Sequence, residues 1–232
     1  MIECIALTVE DARRIELAGG DRIELVSALT EGGLTPSYAL IEAVTNAVKI
    51  PVNVMIRPHS KSFLYTDEEI VLMKKDIQIA KQLNVNGVVF GVLNEVNRIH
   101  VSHLESLLSV CTGLDVTFHR AIDEIDVVEG IQLLRQYPAI TNVLTSGGQG
   151  RITNHLKVIE EAVASSGHVQ ILIGGGLNFD NIERIHTATS VTDFHFGTAV
   201  RAEQSLSGEI EPIQLQRLKK LLSKPKRLKL EM

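Results

Sequence analysis

"VQILIGGGLNFDNIERI", residues 169–185, decides the fold. A nearly unbroken apolar run, Val169 to Ile173, is followed by three glycines and then by apolar residues at helical spacing. A strand with no polar face is buried on both sides, as in a parallel sheet covered by helices. One βα unit is therefore expected here. Working outward, similar β-rich runs recur at Ile2 to Leu7, Arg22 to Val26, Val52 to Ile56, Gly87 to Val92, Asp115 to Phe118, Asn142 to Thr145 and Asp193 to Phe196. Helical segments separate them: Thr8 caps "VEDARRIEL", which stops at a glycine pair, and Thr66 or Asp67 caps a segment with the stripe Ile70, Met73, Ile77 and Ala80. Eight such units close a (β/α)₈ barrel. A doubly wound open sheet is the alternative, but no composition-shifted linker divides the chain. The reading is one α/β domain, a TIM barrel over residues 1–232, with 225–232 a loosely held basic tail.

Of the 232 residues, 44% are hydrophobic and 22% charged, which suits a globular protein with a large core. The net charge of -5 gives no general attraction to nucleic acid or to anionic membranes. The one dense basic stretch, "KPKRLKLEM" from Lys224, reads as a solvated end. No apolar run approaches the about 18 residues of a membrane span, and the N-terminus lacks the pattern of a signal peptide. A cytoplasmic protein is expected, and its two cysteines, Cys4 and Cys111, should be reduced.

Barrel enzymes and binding proteins carry their sites where the strands end. Strand residues two apart share a face, which sends Glu3, Glu24, Arg57, His119 and His195 toward the lumen or its mouth, with Ser146 at the end of the sixth strand. Buried carboxylates need donors, for which Arg57, Arg120 and the two histidines are the candidates. Arg120 alternates with Phe118 and so could instead point outward. Gly174, Gly175 and Gly176 after the seventh strand, and Gly197 after the eighth, occupy the usual phosphate-binding loops of barrels, although glycine also serves tight turns.

No lysine ends an expected strand, so a Schiff-base aldolase is disfavoured, and no HxH, HExxH or DxD cluster marks a metal site. A Ser146, His119, Asp123 triad lacks the turn that exposes such a nucleophile. His100, His103, His155, His168 and His186 fall on or beside helices and read as surface residues.

Several stretches together resemble the CutC family: "DRIELVSALTEGGLTPS" (21–37), "PVNVMIRPHSKSFLYTDEE" (51–69), "GVVFGVL" (87–93), "VTFHRAID" (116–123), "VLTSGG" (143–148) and "GGGL" (174–177). The resemblance implies a cytoplasmic TIM barrel, often a homodimer or higher homo-oligomer, linked to copper tolerance and reported to bind copper. In some members the proposed copper site uses two cysteines, in the first strand and at the end of the "RIEL" strand. Here those positions align with Ile5 and Val26, and Cys4 is displaced by one residue, which reverses its face. Cys111 belongs at the end of the barrel opposite the mouth. If copper binds, His119 and His195 with Glu3 and Glu24 are the remaining donors, a set suited to Cu(II) or Zn(II).

Two functions follow. The family label implies a copper-binding protein of copper homeostasis. The alternative is an enzyme for a small anionic or phosphorylated substrate, in which Arg57 and the glycine loops hold the anion, His119 or Glu24 acts as base, and Asp123 orients His119.

Overall fold

The structure, a computed structural model, describes residues 1–223; the basic tail lies outside the described residues. Among those described, eight strands alternate with eight α-helices. They run β1 (Ile2–Ala6), α1 (Val9–Leu17), β2 (Arg22–Leu25), α2 (Tyr38–Ala47), β3 (Val52–Met55), α3 (Asp67–Gln82), β4 (Gly87–Phe90) and α4 (Val101–Leu108). The second half continues with β5 (Asp115–Phe118), α5 (Val127–Leu134), β6 (Ile140–Thr145), α6 (Leu156–Ser165), β7 (Gln170–Ile173), α7 (Ile182–Ala188), β8 (Asp193–Phe196) and α8 (Pro212–Leu222). Every strand pairs in parallel with the next, and β8 returns to β1, so the sheet is a closed barrel and the open-sheet alternative is excluded. No described helix is long and apolar enough to cross a membrane.

Both expected caps form. The Thr8 hydroxyl accepts the Asp11 N–H, and Thr66 with Glu69 makes a reciprocal capping box at the start of α3. β6 starts at Ile140, two residues before the expected Asn142, because Thr141 fills a register shift opposite β5. Its hydroxyl accepts the Val116 N–H at 3.2 Å and donates to the Val116 carbonyl at 3.0 Å.

Alternation along the strands divides the interior in two. One parity, including Cys4, Leu25, Val54, Phe90, Phe118, Phe194 and Phe196, packs against the helices in a large apolar shell. The other faces the lumen, where Ile5, Val26, Met55 and Val89 form a small buried apolar cluster and polar residues such as Glu3, Arg22, Glu24, Asn53 and His195 are buried beside it. Cys4 therefore lies in the shell, as its parity predicts. Cys111 follows α4, before β5, and donates its thiol to the Leu107 carbonyl, while burial pushes that thiol up to about 12.

Two histidines read as surface residues are buried. His103 stacks on His100 with ring centroids 3.6 Å apart and meets Asp67 through Nε2, and His186 packs edge-on against Phe194. Their helix positions lie on the inner stripe, so packing overrides the polar character of the ring.

A buried ion pair ties the end of the barrel to its beginning. Arg201, beyond β8, donates to Asp11 Oδ2 and to the Ile5 carbonyl, both at 2.9 Å, and to the Gly208 carbonyl at 2.8 Å. Asp11 also accepts the Leu7 N–H. Replacing Arg201 with leucine strands a buried carboxylate and should cost about 3–5 kcal/mol in a denaturant melt; a loss below 1 kcal/mol would show that the seam does not depend on the pair.

Candidate functional site

The site begins in the lumen with Glu3, which parity turns inward and β-pairing sets level with Arg22 on one side and His195 on the other. Arg22 Nε donates to Glu3 Oε2 at 2.5 Å, and Arg22 Nη1 reaches Asn142 Oδ1 of β6 at 3.1 Å. His195 Nδ1 contacts Glu3 Oε1 at 2.7 Å, so Glu3 holds both a guanidinium and an imidazole. Burial raises the Glu3 carboxyl, but the Arg22 charge and the bonds from His195 outweigh it and hold the group below the usual range. His195 is pulled the other way: burial lowers it, and Glu24 and Glu3 more than compensate and raise it.

Glu24 completes this group. Its Oε2 lies 3.8 Å from His195 Nε2, and its Oε1 is buried without a hydrogen-bond partner. Burial pushes the Glu24 carboxyl up to about 7. One donor atom from each of Glu3, Glu24 and His195 can lie within 4.8 Å of the others, a cluster that could hold a metal ion. His119 is not in this cluster, so the expected pairing of the two histidines is replaced by one histidine and two glutamates.

Above this floor opens a cavity of about 580 Å³. Glu24, His195, Arg57, His119, Arg120, Asp123, Gly175, Gly176 and Gly197 are among the residues that line it, together with Ile5, Met55, Phe63 and Leu144. Glu3 lies deeper and Gly174 is set back: the Gly174 N–H donates to the Thr145 carbonyl, and a Cβ there would lie 2.7 Å from Leu144.

The expected donors to the carboxylates are corrected. Arg57 donates to the main-chain oxygens of Glu31, Gly33 and Ser60 and lies 4.7 Å over the Phe63 ring, while the true partner of Glu3 is Arg22. Arg120 does not point outward. It follows β5 in a 3-10 turn, Arg120–Glu124, that folds it over the mouth, where Nε meets Asp123 Oδ2 at 2.8 Å and Nη2 meets Ser146 Oγ at 3.1 Å.

Asp123 does not orient His119 either. Its carboxylate is filled by Arg120, by the Thr145 hydroxyl, and by the N–H and hydroxyl of Ser146. The His119 ring instead accepts the Ala121 N–H on Nδ1 at 3.2 Å, so the triad of Ser146, His119 and Asp123 does not form. Burial, with Arg57 and Arg120 nearby, lowers His119 to about 3. Arg22 and Asn142 escaped the sequence reading, although Arg22 stands two residues from Glu24 and so shares its face.

The His119 shift has a definite sign. Between pH 6.5 and about 3 the unfolded imidazole takes a proton that the folded one refuses, so stability rises with pH across that window. Acidification below 6.5 should cost the wild type up to about 1.4 kcal/mol per pH unit from this group. His119→Gln should flatten that slope in denaturant melts from pH 7 to pH 4; an unchanged slope would show that His119 charges freely in the fold.

The family profile described as the CutC family matches residues 1–200. Among curated proteins, "Copper homeostasis protein cutC homolog" of Homo sapiens is 40% identical over 197 residues, covering 84% of this chain and 72% of its own length. The family protein CutC of Histophilus somni is 37% identical over 209 residues, 89% of this chain and 86% of its own. Among solved structures, the CutC protein of Streptococcus agalactiae superposes with a TM-score of 0.79 at 32% identity, covering 84% of this chain and 97% of that one.

Proposed function

The chain belongs to the CutC family, and on that premise we propose that it serves copper homeostasis by holding the metal on His195 and Glu24 at the floor of the mouth cavity. The observation that carries this reading is the buried, partnerless Oε1 of Glu24, whose other oxygen, Oε2, lies 3.8 Å from His195 Nε2. A buried carboxylate oxygen without a donor is costly, and a cation supplies what it lacks. Glu3 does not compete for that role, because Arg22 and His195 take both its oxygens. It stands behind the imidazole instead, holding Nδ1 so that Nε2 faces Glu24, the arrangement by which carboxylates orient metal-binding histidines.

The donor chemistry selects the oxidation state. Imidazole and carboxylate suit Cu(II), and also Zn(II), whereas Cu(I) favours thiolates. The lumen offers none: Ile5 and Val26 stand in the apolar cluster, Cys4 faces the shell, and burial pushes its thiol far above the ordinary range. With two protein donors, the remaining coordination positions open to the cavity, which suits a cargo that must be released.

Ligands must lose their protons to bind metal. Because burial holds Glu24 near 7, binding should release protons and tighten from pH 6 to pH 8. Competition against a chelator of known affinity should give one Cu(II) per chain. Glu24→Gln, His195→Ala and Glu3→Gln should each weaken it by about 10- to 100-fold. Tight Cu(I) binding in an anaerobic titration, or Cu(II) affinity unmoved by Glu24→Gln, would overturn the assignment.

The rest of the family reading belongs to the same proposal. Two buried free thiols suit a reducing cytoplasm. Exposed Val71, Leu72 and Ile79 on α3 give a second copy an apolar face to cover, and light scattering measures the assembly.

A further inference from the structure

We propose that the rim of the mouth cavity binds a small organic oxyanion, a carboxylate or phosphate monoester with a short apolar body, at Arg57, His119 and Arg120. This site is separate from the metal position at the floor and does not depend on it.

Three groups with donor capacity to spare line the cavity. Arg57 is buried, yet no ion pair between it and a carboxylate is seen among the described residues; its guanidinium meets main-chain oxygens, the Phe63 face and the Tyr65 side chain, and its Nε has no hydrogen-bond partner. A buried cation with no counter-ion calls for an anion. His119 is 4% exposed, and its Nε2 has no hydrogen-bond partner. Because Nδ1 accepts the Ala121 N–H, the proton of the neutral ring sits on Nε2, which makes that atom a donor. Burial and the two neighbouring guanidinium groups keep the ring neutral, so it offers a hydrogen bond and does not itself carry the charge.

Arg120 supplies the exposed contact. Its Nε and Nη2 are spent on Asp123 and Ser146, and its side chain is 44% exposed, which leaves Nη1 for a ligand. Asp123 cannot accept from that ligand as well, since Thr145 and Ser146 fill the rest of its carboxylate.

The rim is also built to keep these groups in place. Gly175 has φ +93°, and a Cβ there would lie 2.8 Å from Arg120 Cζ, so only glycine lets the guanidinium rest against the chain. On the opposite wall, a Cβ on Gly91 would lie 2.5 Å from His119 Nδ1. The Phe63 ring stands 4.8 Å from the imidazole, fixing its other face. Ile5, Met55, Phe63 and Leu144 also line the cavity, which fits an apolar body. The acidic Glu31 and Glu124 also line the cavity; Glu31 bonds the Ser60 hydroxyl.

The test is calorimetric titration of the metal-free full chain with phenyl phosphate, phenylacetate and neutral benzyl alcohol. At least one anion should bind saturably and the alcohol should not, and the tighter anion identifies the acid class. Arg120→Gln sits at a half-exposed position and should fold, and it should weaken anion binding by about tenfold, ~1.4 kcal/mol. His119→Asn should weaken it as well. Saturable binding of neither anion, equal binding of the alcohol, or anion affinity unchanged in Arg120→Gln would overturn the proposal.

Discussion

The closed barrel leaves a lumen that water cannot freely solvate, and two opposite charges, Glu3 and Arg22, lie inside it. Taking both out of water costs several kcal/mol per ion, repaid only by close geometry and further hydrogen bonds. The pair meets that condition by spreading. Arg22 extends to Asn142 of β6 and Glu3 to His195 of β8, so one polar network joins four strands across the barrel. The orientation of His195, and with it the facing of Nε2 toward Glu24, follows from where Glu3 is held.

The cavity above inherits a polarity from this arrangement. Its floor is acidic and carries the orphaned Glu24 oxygen; its rim carries Arg57, Arg120 and the donor face of His119. The cation site and the anion site proposed above would thus lie at different depths of one cavity, whose lining also includes apolar side chains. The familiar thiolate chemistry of copper has no place there, because the strand parity that brings Ile5 inward turns Cys4 outward.

Much of this was legible in the sequence. Eight βα units, the single closed barrel, the inward faces of Glu24, Arg57 and His195, and the outward face of Cys4 all follow from periods of two and 3.6 residues. Parity does not give depth. Glu24 pairs level with Asn53, which places Arg57 four residues further along β3 and its continuation, about 13 Å toward the mouth. That offset is why Arg57 cannot serve the carboxylates and Arg22 can. The 3-10 turn after β5 is equally hidden: strict alternation leaves Arg120 open between the mouth and the outside, whereas a turn ends alternation and folds it over the mouth. Asp123 stands four residues after His119 in sequence, but Thr145 at the end of β6 and Ser146 just after it claim its carboxylate.

The most direct measurement of the central claim is electron paramagnetic resonance of the chain loaded with one equivalent of Cu(II). A site on His195 and Glu24 should give an axial signal of mixed nitrogen and oxygen ligation, with imidazole nitrogen coupling that disappears in His195→Ala and persists in His119→Asn. Coupling that survives in His195→Ala, or sulfur ligation in the spectrum, would contradict a copper site built on the floor of the barrel.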